Sequence, residues 1–317
     1  MFALDPRIEL TSFLAQGYGG NSLKSRAAGA YLGLAVGDAL GATLEFLTPR
    51  EIRDLHGVHR DITGGGWLHL RKGQVTDDTE MSLALGRSIL DAGRVDPHSV
   101  AEYFSAWMRT KPVDIGNTVR RGIVHYRQTG EPRVPENEHD AGNGGCMRCL
   151  PVALAYLGAG DVALADASRL QCHVTHNNLL ADQGTLTIIR MVQSALLIGE
   201  RKELKQLADD LVAADRRFAY ERNRLDSPSG YIADTLRVVF QSLFATDGFE
   251  GALVDVVNRG GDSDTTGAIL GMIAGALYGL GSIPTRWLSA LDEDLTATIL
   301  EQAQELLRLS PFCRGVC

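Results

Sequence analysis

Apolar and small residues recur at helical spacing through most of this chain. Between positions 24 and 42 they fall at Ala27, Ala28, Tyr31, Leu32 and Ala35; between 79 and 91, at Met81, Leu83, Ala84, Leu85, Ile89 and Leu90. Tyr103, Phe104, Trp107 and Met108 mark 100–111, and similar runs cover 117–128, 147–157, 179–197, 204–214, 231–244, 249–257, 265–280 and 291–307. Runs of about 10 to 20 residues with this period predict helices. No series of alternating segments and no recurring turn signal points to a sandwich or barrel, so the pattern predicts an all-α protein. The stretch 268–278 (AILGMIAGALY) is apolar all round and predicts a buried central helix, whose Gly and Ala allow close helix packing. By contrast, 200–224 is heavily charged and reads as solvated surface. Prolines and acids without an apolar period make 129–141 a long exposed loop. No linker divides the chain, which reads as a lead-in (1–22), one domain (23–310) and a tail (311–317).

Charge narrows the function classes. The 317 residues carry 31 Lys and Arg against 39 Asp and Glu, a formal net charge of −8. A nucleic-acid binder usually presents a basic field, so no nucleic-acid partner is expected. Neither an apolar run of about 18 residues nor a basic, apolar leader pattern is found, so the expected location is the cytoplasm. The five cysteines are an odd number and do not suggest a disulfide framework. Cys146-x-x-Cys149 followed by Cys172, His173 and His176 has a spacing that zinc could use. The better reading is that Cys146 and Cys149 are small hydrophobes within an apolar helical run.

Two short segments share one design. Gln74-Val-Thr-Asp-Asp-Thr-Glu80 and Asn258-Arg-Gly-Gly-Asp-Ser-Asp-Thr-Thr266 each place two carboxylates and neighbouring hydroxyls just before a small-residue helix. One Asp there is readily a helix cap, but one cap needs one oxygen. Gly260 and Gly261 let the backbone turn sharply, so that Asp262 and Asp264 can point to one place. Converging carboxylates repel, and burying them is costly unless something neutralises them. A divalent cation is the simplest answer, with Asp77, Asp78, Asp262 and Asp264 and the Thr76 and Thr265 hydroxyls as ligands. All-oxygen donors favour Mg²⁺ or Mn²⁺, and four carboxylates would balance two ions. Asp38, alone in an apolar stretch, reads as a hydrogen-bond anchor, and Glu45 as a further ligand or proton carrier.

The words GLAVGDALGATLEF (33–46), GQVTDDTEMSLALG (73–86), AGNGGCMRCLP (141–151) and NRGGDSDTTGAILGMIAGALYG (258–279) stand in the order found in the ADP-ribosylglycohydrolase family. The chain resembles that family over 33–279. TGGGWLHLRKGQVTDDTEMSLALGRS (63–88) and KPVDIGNTVRRGI (111–123) are most similar to the branch that frees ADP-ribose from an arginine of nitrogenase iron protein. The resemblance implies a compact helical fold with a central cleft. It implies a centre of two Mn²⁺ or Mg²⁺ ions on Thr76, Asp77, Asp78, Asp262, Asp264 and Thr265. It also makes Asp114 the acid beside the scissile bond and puts Asn117, Asn143, Met147, His176 and Tyr231 against ADP-ribose. As partners it implies ADP-ribosylated dinitrogenase reductase as substrate, a PII-type signalling protein, and an ammonium-channel complex that would bring the enzyme reversibly to the membrane. A monomer is expected. The segment 175–184 departs from the family pattern after its His-Asn pair.

The chemistry follows from the bond. Cutting a C–N glycosidic bond makes the sugar carbon cation-like. Guanidine leaves poorly unless protonated, so a carboxyl beside it is needed, with Asp114 first and Glu45 second. Asp114 could instead cap the helix from Asn117. The glycine loop Gly142-Asn143-Gly144-Gly145 feeds a helix and suits a diphosphate, with Arg148 either adding charge or lying on the surface. Another modified protein, a modified nucleic acid, a small ADP-ribosyl compound, or a non-catalytic ADP-ribose binder are the alternatives.

Overall fold

The computed structural model describes residues 22–314. Its helices, in chain order, are α1 (Leu23–Gly41), α2 (Pro49–His56), α3 (Asp77–Ala92), α4 (Pro97–Arg109), α5 (Asn117–Thr129), α6 (Gly144–Met147), α7 (Leu150–Ala155) and α8 (Asp161–Cys172). They continue with α9 (Leu179–Leu197), α10 (Arg201–Ala214), α11 (Ile232–Ala245), α12 (Phe249–Val257), α13 (Ser263–Tyr278), α14 (Thr285–Leu288), α15 (Glu293–Leu309) and α16 (Pro311–Arg314). Among the described residues there is no strand, and the all-α expectation holds; the isolated bridges Gly65–Leu70 and Gly142–Tyr231 tie loops together. The lead-in up to residue 21 and the end of the tail, residues 315–317, lie outside the described residues.

Two central helices organise the molecule. α1 is buried from Ala27 to Gly41 and α13 from Ser263 to Leu277, as sequences apolar all round require. They run antiparallel with their backbones in contact. A Cβ on Gly33 would lie 2.2 Å from the Gly271 carbonyl oxygen, and one on Gly37 would lie 2.0 Å from that of Gly267. Any side chain at these positions would force the helices apart. The antiparallel pairing sets Asp38, near the end of α1, beside the start of α13. α15 locks the pair to α3: Tyr31 donates to Gln302 Oε1 at 2.5 Å, and Gln302 Nε2 donates to the Leu83 carbonyl at 3.1 Å.

Several elements differ from the pattern-based expectation. α2 rests on its cap: Thr48 and Glu51 form a reciprocal capping box with Pro49 in the first turn, and Ile52 is its one buried residue. One buried residue leaves no period to detect. α8 likewise lies outside the predicted helical runs, and buries Leu164, Ala167, Ser168, Gln171 and Cys172, a mixed polar and apolar face. The run 147–157 is broken into α6 and α7 around Arg148 and Cys149, with Pro151 in the first turn of α7. The charged stretch 200–224 is not wholly solvated. α10 buries Leu204, Ala208, Leu211 and Val212, and Phe218 to Tyr220 follow it into the core.

Cys146 and Cys149 behave as the small hydrophobes expected of them: with Cys172, they are free and fully buried. His173 Nε2 pairs with Asp182 at 2.9 Å and His176 Nδ1 meets the Thr175 hydroxyl at 2.8 Å, so the histidines are engaged elsewhere.

Candidate active site

The site is built on two helix starts. α3 begins after Thr76 and α13 after Asp262, yet neither residue's side chain caps its own helix. The ordinary reason for Thr or Asp at these places is therefore absent. For α3 the cap comes from another helix. Fully buried Asp38 accepts from the Thr76 amide (3.1 and 3.0 Å), the Thr76 hydroxyl (3.0 Å), the Thr79 amide (3.2 Å) and the Thr79 hydroxyl (2.5 Å). Burial pushes its pKa up to about 6, with the threonine hydrogen bonds pulling the other way. Asp38 is thus the anchor the sequence suggested.

Loop chemistry brings the other acids together. Gly260 and Gly261 have φ of 69° and 62°, and a Cβ on Gly260 would sit 2.0 Å from the Leu47 carbonyl oxygen. This close turn lets Gly261 donate to the Leu47 carbonyl at 2.9 Å and accept from the Phe46 amide at 2.8 Å. Glu45 is thereby carried beside the start of α13. One carboxylate oxygen from each of Glu45, Asp114 and Asp264 lies within 4.8 Å of the other two. Around this trio, Asp78 Oδ2 accepts from Thr76 (3.2 Å) and Thr265 (3.3 Å), and Asp264 Oδ1 from the Thr265 amide (2.8 Å). Asp262 Oδ2 takes Asn143 Nδ2 at 2.6 Å, and Asp77 Oδ2 takes the Gly116 amide at 3.2 Å. Trp67 Nε1 donates to Glu45 Oε2 at 2.5 Å.

This charge has no ion-pair partner among the described residues, although Arg120 acts on Asp114 from a distance. Among the described residues no Lys, Arg or His forms an ion pair with Asp38, Glu45, Asp77, Asp78, Asp114, Asp262 or Asp264. Burial first, then neighbouring carboxylates, push Glu45 and Asp77 up to about 8 and raise Asp78 and Asp264 well above the usual range. Asp114 and Asp262 are raised as well, chiefly by burial. Asp78 Oδ1 is buried with no hydrogen-bond donor. An orphaned carboxylate oxygen inside a crowd of oxygen donors fits a hard divalent cation.

The remaining candidates divide. Asp114 is not a cap: the N-cap of α5 is Gly116, and Asp114 Oδ1 accepts from the adjacent Ile115 amide at 2.7 Å. Asn143 and Tyr231 come together, because Asn143 N donates to the Gly230 carbonyl and Ile232 N to the Ala141 carbonyl, each at 2.9 Å. Gly144 and Met147 are buried in α6. The His176 ring packs on the glycine loop, where a Cβ on Gly144 would approach it to 2.5 Å. Burial pushes His176 down to about 3, so it is neutral. Asn117 opens α5 exposed to solvent. Arg148 is neither on the surface nor open to a ligand. It is fully buried, over the Phe104 ring at 4.5 Å, and donates to Gln171 and to Thr175 Oγ1 at 2.7 Å. Sequence reasoning missed Trp67, because nothing in the spacing of Gly64-Gly65-Gly66-Trp67 ties it to Glu45; a tryptophan in a glycine-rich loop was the available signal.

Residues 20–314 match the family model of the ADP-ribosylglycohydrolases. The chain belongs to the ADP-ribosylglycohydrolase family. It is 50% identical over 293 residues to ADP-ribosyl-[dinitrogen reductase] glycohydrolase of Rhodospirillum rubrum, covering 92% of this chain and 98% of that one. It is 32% identical to ADP-ribosylarginine hydrolase Tri1 of Serratia proteamaculans, over 90% of this chain and 80% of the relative. A solved structure described as an ADP-ribosylglycohydrolase-related protein complex superposes with a TM-score of 0.81 at 35% identity, covering 91% of this chain and 99% of that chain. The family assignment and the helical fold agree with the resemblance carried by the four sequence words.

Proposed function

We propose that this ADP-ribosylglycohydrolase cleaves the N-glycosidic bond between ADP-ribose and a protein arginine, and that its substrate is ADP-ribosylated dinitrogenase reductase. The observation that carries the reading is the meeting of Glu45, Asp114 and Asp264 beside the donorless oxygen of Asp78. The half-identical relative named for dinitrogen reductase supports the substrate, and the arginine hydrolase relative supports the linkage.

Asp77, Asp78, Asp262 and Asp264, with the Thr76 and Thr265 hydroxyls, would hold two Mn²⁺ or Mg²⁺ ions. Bound there, such ions supply a template for the ribose hydroxyls and lower the pKa of a water. Asp114 takes the proton from the attacking water and passes it to the departing guanidine nitrogen, so arginine leaves as guanidinium and ADP-ribose gains the hydroxyl. Its carboxyl suits this role because burial raises its affinity for a proton. Glu45, held by the Trp67 indole, shares the proton traffic. Asn143 fixes Asp262, and with Gly144, Met147, neutral His176 and Tyr231 it lines the ADP-ribose side; Asn117 reaches the ligand from the solvent edge of α5.

The test is release of ADP-ribose from modified iron protein by manganese-loaded enzyme. Full activity after thorough metal removal, or in Asp264→Ala, would refute the reading. A panel of other ADP-ribosylated proteins, and of ADP-ribosylated nucleic acid, separates the substrates. No helix among the described residues is long and apolar enough to cross a membrane. Association with a PII-type protein and an ammonium-channel complex is a proposal that a pull-down with PII protein tests.

A further inference from the structure

Two large aromatic side chains stand in solvent beside a cluster of carboxylates, and the reaction derived above uses only the indole N–H of one of them and neither ring face. Phe46 is 64% exposed and Trp67 is 50% exposed, whereas Trp107 and Trp287 are 8% and 0% exposed. Exposing a ring of this size forgoes the gain of burying it, so paired exposed aromatics signal contact with something else. Their centroids are 5.3 Å apart with a 51° tilt, forming a partly open angle rather than a closed stack.

The backbone holds them there at a cost. Phe46 has φ of 64°, a left-handed conformation that a bulky side chain rarely adopts. Its amide is tied to the Gly261 carbonyl at 2.8 Å, in the loop that leads to Asp262 and Asp264. Trp67 is fixed by its indole bond to Glu45 at 2.5 Å, and Glu45 is one of the three converging acids. The rings therefore stand next to Glu45, whose carboxylate approaches those of Asp114 and Asp264 within 4.8 Å. Negative charge backed by π faces is the environment that holds a flat, delocalised cation.

We propose that Phe46 and Trp67 form the arginine-side wall of the site and seat the guanidinium of ADP-ribosyl-arginine by cation–π contact. This rests on the ADP-ribosyl-arginine reading above. The wall selects a guanidinium over an uncharged ester or ether linkage, and it orients the scissile nitrogen toward Asp114. Trp67 has a second task, since its N–H also holds Glu45; Phe46 has none and is the cleaner probe.

Steady-state kinetics with manganese-loaded enzyme test the assignment, on both an arginine-ADP-ribosylated protein and ADP-ribosyl-agmatine, which carries a guanidinium without a protein surface. In Phe46→Leu, KM is expected to rise about three- to tenfold on both substrates with kcat little changed, and Phe46→Tyr restores it. Inhibition by free ADP-ribose should be unaltered. A KM rise confined to the protein substrate would overturn the guanidinium assignment, and so would an equal loss of ADP-ribose affinity. Agmatine should change tryptophan fluorescence saturably in the wild type and not in Trp67→Phe; no change in the wild type, or a change that persists in the variant, overturns it too. Wild-type enzyme that cleaves neither substrate defeats the arginine reading itself, whereas wild-type turnover with unchanged KM in Phe46→Leu defeats the aromatic wall alone.

Discussion

Asp78 separates structural need from chemical need within one side chain. Its Oδ2 is bonded by two threonine hydroxyls, but its Oδ1 is buried and receives no donor. A carboxylate kept only for the fold would have both oxygens satisfied. Asp78→Asn removes one charge from a group whose members repel one another, so the metal-free protein should melt at the same temperature or higher. The same change should abolish the rise in melting temperature on adding Mn²⁺ and lower turnover by more than the roughly 10–100-fold typical of outer-shell changes. Thermal shift with and without metal, alongside ADP-ribose release, checks both signs. Asp38 should behave in the opposite way. It caps α3 through the Thr76 and Thr79 amides and also holds both hydroxyls, so Asp38→Asn should lower the melting temperature of the metal-free protein. Sequence alone suggested both roles, because a lone Asp in an apolar run and an Asp doublet before a helix obey different physical rules. It did not reveal Arg148's burial, since an arginine held by Gln171, Thr175 and the Phe104 face uses partners far along the chain.

At the scale of elements, the glycines joining α1 to α13 decide where the acids go. Gly37 precedes Asp38, and its missing Cβ admits the Gly267 carbonyl, three residues beyond Asp264. An ordinary exposed Gly→Ala change in a helix gains about 1 kcal/mol. Here the added methyl would stand 2.0 Å from a backbone oxygen that has no flexible end to yield. Gly37→Ala should therefore destabilise the protein by about 3 kcal/mol and weaken metal binding through displacement of Asp38 from α3. Gly281→Ala, at a position where a Cβ meets nothing within 4 Å, is the control and should change neither. Chemical denaturation and metal titration of the two variants decide the point. The long central helices were legible because burial on all sides demands apolar residues on all sides. α2 was not, because a capping box and Pro49 make a helix that buries only Ile52.

For the whole molecule, stability and catalytic readiness are coupled through protons and metal. In the metal-free fold Glu45 and Asp77 are raised to about 8 and Asp38 to about 6, by burial first, while the unfolded chain releases these protons near pH 4. The folded state therefore binds more protons than the unfolded state between about pH 4 and 8. Their contribution to stability is fully present below about pH 4 and is lost as pH rises through 6 to 8. The melting temperature of the metal-free protein should fall across that window. A divalent cation reverses the sign, because it favours the ionised carboxylates and binds more tightly as protons leave. At 100 times its dissociation constant the cation adds about 2.7 kcal/mol, or about 5 °C for a chain of this size. The gap between metal-bound and metal-free melting curves should thus be small near pH 5 and widest near pH 8, in scanning calorimetry with and without Mn²⁺. A gap that stays constant with pH would mean that the ion binds away from these acids. The two acidic segments could be read from the sequence one at a time, but the shift of their pKa values could not. It arises only when Glu45, Asp77, Asp114 and Asp264 share one buried space, and that sharing depends on backbone contacts between α1 and α13 and on the turn at Gly260 and Gly261.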